Sequence, residues 1–115
     1  ADGMILTSPE YNWLPPATIK NAVDWLSRMQ PMPLDKKSIL LSSATPSLVG
    51  GVRGLMSLRT AYEALGTWVY PKMFTLAQAP GAFNDDGTLK SEDLFNMLTA
   101  MVADYCSAAA ALNNR

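Results

Sequence analysis

The sequence predicts an α/β fold: a parallel three-stranded sheet with helices on both faces. Short apolar segments rich in strand-forming residues alternate with stretches whose apolar residues recur every three or four positions, in the order strand, helix, strand, helix, strand, helix. Such an order implies parallel strands joined by right-handed crossovers. Loops of polar and small residues follow the first two strands, at the carboxyl edge where open α/β sheets gather ligands.

The first strand is the apolar run Gly3-Met4-Ile5-Leu6-Thr7, stopped by Ser8-Pro9. Its composition suits burial on both faces. A polar loop leads to Pro15-Pro16, where a first-turn proline loses no needed donor. Ile19, Ala22, Val23 and Leu26 then mark a helix from about Pro16 to Arg28. After the connector Gln30-Pro31-Met32-Pro33, Ser38 to Ser43 forms the second strand, and Ala44 to Gly51 the loop after it. Leu55, Leu58, Tyr62 and Leu65 share one helical face, with Gly66 as its stop. Thr67 to Tyr70 favours a strand, but Pro71 interrupts it before Met73 to Leu76, which suggests an edge or a bend. Asn84-Asp85-Asp86-Gly87 is a turn, and Ser91-Glu92-Asp93 caps a last helix. Its buried stripe is Leu94, Leu98, Met101, Tyr105 and Ala109, widened by Met97 and Val102.

At 115 residues the chain is one domain, and 49% apolar against 17% charged residues favours a packed core. The absence of His removes His-based triads and most zinc sites. The single Cys106 excludes an internal disulfide and cysteine clusters, consistent with a reducing cytoplasm, and has no activating neighbour in sequence. A net charge of −1 without a basic tract argues against nucleic acid. No apolar run approaches the ~18 residues that span a bilayer, so no membrane partner is expected.

The run Thr7-Ser8-Pro9-Glu10-Tyr11-Asn12, then Pro15-Pro16 and Lys20-Asn21-Ala22-Val23-Asp24-Trp25-Leu26-Ser27-Arg28, resembles the NADPH-dependent FMN reductase family of flavodoxin-like folds, which includes quinone, chromate and azo-dye reductases. Ser42-Ser43-Ala44-Thr45-Pro46-Ser47 and Gly50-Gly51-Val52-Arg53 are similar to the family's second loop. Phe83 with Asp85-Asp86-Gly87 and Leu89 is similar to the turn before its last helix. The family's Gly-Ser-Leu-Arg-like phosphate loop has no counterpart. The resemblance therefore implies the third to fifth strands of a doubly wound sheet, with the front strands and phosphate cradle missing, and weak or no FMN binding by this chain alone.

The resemblance also implies an NAD(P)H-dependent oxidoreductase that passes hydride through bound FMN to a small acceptor such as a flavin or quinone, with NADPH as co-substrate. Family members are usually dimers or tetramers. On this reading Pro9, Glu10, Tyr11 and Asn12 line the flavin ring, and Ser43, Thr45, Gly50 and Gly51 form the second wall, with no side chain needed as acid or base. The plainer expectation for the second loop is a turn in which Thr45 or Ser47 caps the next helix. Arg53 and Arg59 are candidates for a dinucleotide phosphate or a neighbouring subunit. Trp13, Trp25 and the methionines read as core or interface residues. The alternative is a non-catalytic assembly module that pairs through an exposed first strand.

Overall fold

The computed structural model describes residues 1–114. The chain runs β1 (Gly3–Thr7), α1 (Ala17–Leu26), β2 (Ser38–Ala44), α2 (Val52–Ala64), β3 (Trp68–Val69), β4 (Phe74–Leu76), a 3-10 turn (Ala79–Gly81) and α3 (Glu92–Asn113). β1 pairs parallel with β2, Met4 opposite Ile39 and Leu6 opposite Leu41. On its other side β2 pairs parallel with both β3 and β4. The third sheet position is thus two short strands, so the expected three strands are four. Pro71 sits in the break, where its missing N–H would have left a gap in the ladder.

Neighbouring residues of β2 point to opposite faces and build two cores. Ile39 and Leu41 pack with Val23 of α1 and Leu55, Leu58 and Tyr62 of α2. Leu40 packs with Phe74, Leu76 and the α3 residues Met101 and Tyr105. Helices therefore cover both faces, α1 and α2 on one and α3 on the other. Leu41 and Leu58 are fully buried, each contributing about 1.5–3 kcal/mol.

The expectation that β1 is buried on both faces is corrected. It lies at the sheet edge, and while Met4 and Leu6 join the first core, Ile5 on the α3 side is 53% exposed. Met97 also leaves the predicted stripe of α3, pointing to solvent one turn away from Met101. The 22-residue α3 has the length and mean hydropathy, 1.2, to cross a membrane, a property that unbroken apolar runs do not reveal. One side of it is nevertheless committed to the sheet through Met101 and Tyr105.

Helix ends follow the local chemistry. Ser91 accepts a hydrogen bond from the Leu94 amide at 3.1 Å, with Glu92 and Asp93 in the first turn. At the end of α2, Gly66 takes φ +84°. Its N–H donates to the Glu63 carbonyl and that of Thr67 to the Tyr62 carbonyl, which satisfies two orphan acceptors.

Candidate functional site

The carboxyl ends of β1 and β2 carry the two loops that the sequence singled out. Past β1, the Ser8 amide donates to the Ser42 carbonyl at 2.9 Å, prolonging the pairing by one residue before Pro9 ends it. Tyr11 and Leu14 then exchange backbone hydrogen bonds of 2.8 and 3.0 Å, which closes a two-residue turn. Both central residues are left-handed, Asn12 at φ +53° and Trp13 at φ +72°. Asparagine adopts this region readily, but for a bulky tryptophan it is an outlier. The Arg53 guanidinium stacks on the Trp13 ring at 3.8 Å and so holds that conformation in place.

Glu10 turns away from the turn and into the start of α2. Its carboxylate accepts the Gly54 amide at 2.7 Å, and its second oxygen lies 3.8 Å from Arg53 Nη2. With Gly51 as the N-cap, Gly54 is the third helical residue, whose N–H has no partner within the helix. A Cβ on Gly54 would stand 3.3 Å from Glu10 Cγ and from the Leu14 carbonyl, so glycine lets the loop rest directly on the helix.

The loop after β2 folds back over Ser43. A Cβ on Gly51, at φ +94°, would lie 2.0 Å from Ser43 Oγ. The Ser43 hydroxyl is buried and has no hydrogen-bond partner among the described residues. The expected capping of α2 by Thr45 or Ser47 is not found, because their hydroxyls bond each other at 2.9 Å and the helix end receives Glu10 instead. The Thr45 amide donates to the Leu76 carbonyl and its carbonyl accepts from Ala79, which straps the loop to the exit of β4. Gly50, at φ +67°, packs against Thr75 and Ala77.

Of the eight predicted site residues, Glu10, Ser43, Thr45 and Gly51 therefore converge around the start of α2, while Gly50 faces β4. Pro9, Tyr11 and Asn12 stand on the surface, Tyr11 being 59% exposed. Arg59 is drawn elsewhere. Its Nη2 donates to the carbonyls of Tyr70 at 2.8 Å and Pro71 at 3.1 Å, and Nη1 approaches Glu63. It ties α2 to the break between β3 and β4. Trp13 and Trp25 are 66% and 71% exposed, so the core half of that expectation is corrected.

On the α3 side of the same edge lies an apolar groove of about 600 Å³, lined by Ile5, Ser43, Phe74, Phe83, Phe95 and Leu98 among others. Ser43 alone of the predicted residues reaches it. Phe83 and Phe95 were not singled out for a site, although Phe95, next to the stripe residue Leu94, is the visible signal for a wider apolar face. No group of three potential metal ligands forms among the described residues.

The profile of the family described as NADPH-dependent FMN reductase matches residues 1–81, which include both loops and the start of α2. A quinone reductase of Escherichia coli K12 is 39% identical over 72 residues, 63% of this chain and 38% of that protein. The chain thus spans well under two thirds of the length of that relative. Among solved structures, the flavoenzyme NAD(P)H:(acceptor) oxidoreductase FerB of Paracoccus denitrificans superposes with a TM-score of 0.82 at 24% identity, over 96% of this chain and 62% of its own. A Fusobacterium nucleatum flavodoxin variant bound to flavin mononucleotide superposes at 0.51 with 14% identity, covering 92% and 67%. The α/β architecture is therefore flavodoxin-like. With a profile match over most of its length, and with both matched loops meeting at one sheet edge, the chain belongs to the NADPH-dependent FMN reductase family.

Proposed function

We propose that this chain contributes the ring-side half of a flavin site in an NAD(P)H-dependent FMN reductase, with a small-molecule acceptor such as a flavin or quinone. The observation that carries the reading is the convergence of the loops after β1 and β2 on the start of α2, joined by the Glu10 contact to Gly54. The residues present fit a flat, partly apolar ring. An exposed turn offers Tyr11 and Asn12, an apolar groove adjoins, and the buried Ser43 hydroxyl on its wall lacks a partner.

A bound flavin supplies hydride acceptance from a nicotinamide and onward electron transfer. The chain's own residues bind and orient. Glu10 and Arg53 hold the 11–14 turn in one conformation, the strap from Thr45 to Leu76 fixes the second loop, and Ser43 offers a hydroxyl. No side chain here is needed to move a proton. Pro9, Glu10, Tyr11, Asn12, Ser43, Thr45, Gly50 and Gly51 make up the proposed site in one domain, with NADPH as co-substrate and the cytoplasm as its compartment. A homo-oligomer suits the exposed apolar side chains Trp25, Leu48 and Met56.

Flavin titration tests the reading. Riboflavin and FMN should bind within about threefold of each other, because these loops meet the ring and not the phosphate. FMN binding more than about tenfold tighter than riboflavin would put a phosphate contact inside this chain and overturn the ring-side reading.

A second reading is favoured by one observation: β1 is an edge strand with Ile5 half exposed. Such an edge can pair with another strand, from a second copy or a separate fragment. Solution mass decides it, and a monomer at high concentration counts against a self-pairing module.

A further inference from the structure

Glu10 is placed where an external anion would ordinarily bind. The first turn of α2 holds no acidic residue and Gly51 provides no side-chain cap, so the positive end of this helix has one negative partner among the described contacts, the carboxylate of Glu10, which reaches it from 44 positions earlier. That carboxylate is only 6% exposed. The turn it precedes contains Trp13 in a strained left-handed conformation, which persists only where the surroundings enforce it. Three features enforce it: Arg53 stacked on Trp13, Gly54 open to Leu14, and Glu10 joined to both Gly54 and Arg53.

We infer that Glu10 is a positioning residue, an internal anion that occupies the start of α2 and latches the 11–14 turn to it, so that this edge presents the turn to a neutral ring rather than a bare helix end to a phosphate. The flavin part of this statement rests on the function proposed above, whereas the latch does not. Glu10 therefore acts through Gly54 and Arg53 and its carboxylate does not meet the ligand. Its place in the proposed site is then through the backbone of the loop.

Two variants and one control test the latch. Glu10→Ala removes the acceptor, Glu10→Gln keeps an oxygen for the Gly54 amide, and Tyr105→Phe weakens the fold far from the loop. Amide hydrogen exchange at Tyr11, Leu14 and Gly54 should accelerate at least about tenfold in Glu10→Ala and much less in Glu10→Gln. Riboflavin affinity should fall about tenfold in Glu10→Ala, recover largely in Glu10→Gln and stay unchanged in Tyr105→Phe. Unaltered exchange at Tyr11 and Leu14 in Glu10→Ala overturns the latch. Accelerated exchange with unaltered riboflavin affinity overturns the positioning role. If the unmodified chain takes no riboflavin, the exchange rates alone decide the latch. Should Glu10→Ala fail to fold, Glu10→Gln read against Glu10→Asp, whose shorter arm cannot reach, makes the same comparison.

Discussion

The phenol oxygen of Tyr105 lies 2.9 Å from both the amide nitrogen and the carbonyl oxygen of Met4, residues 101 positions apart. It is also 3.1 Å from the Ser38 carbonyl. One hydroxyl thus accepts from β1 and donates to β1 or β2, and fastens α3 to the edge strand. A Cβ on Gly3 would approach this oxygen to 2.6 Å, which is why the strand opens on glycine.

Tyr105→Phe leaves the Met4 amide without that acceptor at a part-buried site. A loss of roughly 1–3 kcal/mol in unfolding free energy is expected, read as a lower urea midpoint with an unchanged slope.

Gly51→Ala combines a left-handed backbone with a 2.0 Å approach to Ser43 Oγ. The expected destabilisation is roughly 2–4 kcal/mol. Adding Ser43→Ala should recover little of it, because the Ser43 Cβ itself would stand only 2.7 Å away. Full recovery in the double variant would show that the hydroxyl alone sets the clash.

Arg59→Met removes the donor to the Tyr70 and Pro71 carbonyls. A midpoint loss corresponding to roughly 1–3 kcal/mol is expected, with riboflavin affinity unchanged. Arg59→Lys should not restore stability, since a single ammonium cannot reproduce the fork. A variant that keeps its stability but loses NADPH binding would return Arg59 to the dinucleotide role.

Alkaline stability should depend on Tyr70. Its hydroxyl donates to the Asp104 carboxylate, and that bond, then burial, then the negative charge of Asp104, hold the phenol above its ordinary value of 10.0. In the unfolded chain tyrosine titrates near 10. Below that pH both states keep the proton and the stabilisation is fully present. As pH rises from about 10 toward the higher folded value, the unfolded chain sheds its proton first and stability falls. Buried Tyr62, also raised, acts with the same sign. Urea midpoints measured from pH 9 upward should decline less steeply in Tyr70→Phe than in the unmodified chain.

Much of this was readable from local chemistry. The periodicity of Leu55, Leu58 and Tyr62 marked the buried face of α2, Ser91 marked the start of α3, and Pro71 marked the broken strand, because each signal acts within a few residues. The Asn84 to Gly87 turn follows its composition as well, with Asp86 accepting the amide and hydroxyl of Thr88, bonds that hold its carboxyl below the usual range. What stayed hidden depends on partners far along the chain. Nothing near Glu10 announces that it will cap a helix beginning at residue 52. Nor does the apolar composition of β1 reveal that Ile5 faces an open side while Met4 and Leu6 do not, since that follows from which neighbour each face acquires.

Every ladder in this sheet runs through β2, which meets β1 on one flank and both β3 and β4 on the other. Residues 38–44 are therefore the hub of the sheet, because among the described residues β1, β3 and β4 each pair with them and not with one another. A one-residue slip there would misalign all three ladders together and exchange the two cores. The last amides to open in native-state exchange should accordingly be those of Ile39 to Ser42, with β1 and the β3–β4 flank released earlier and separately.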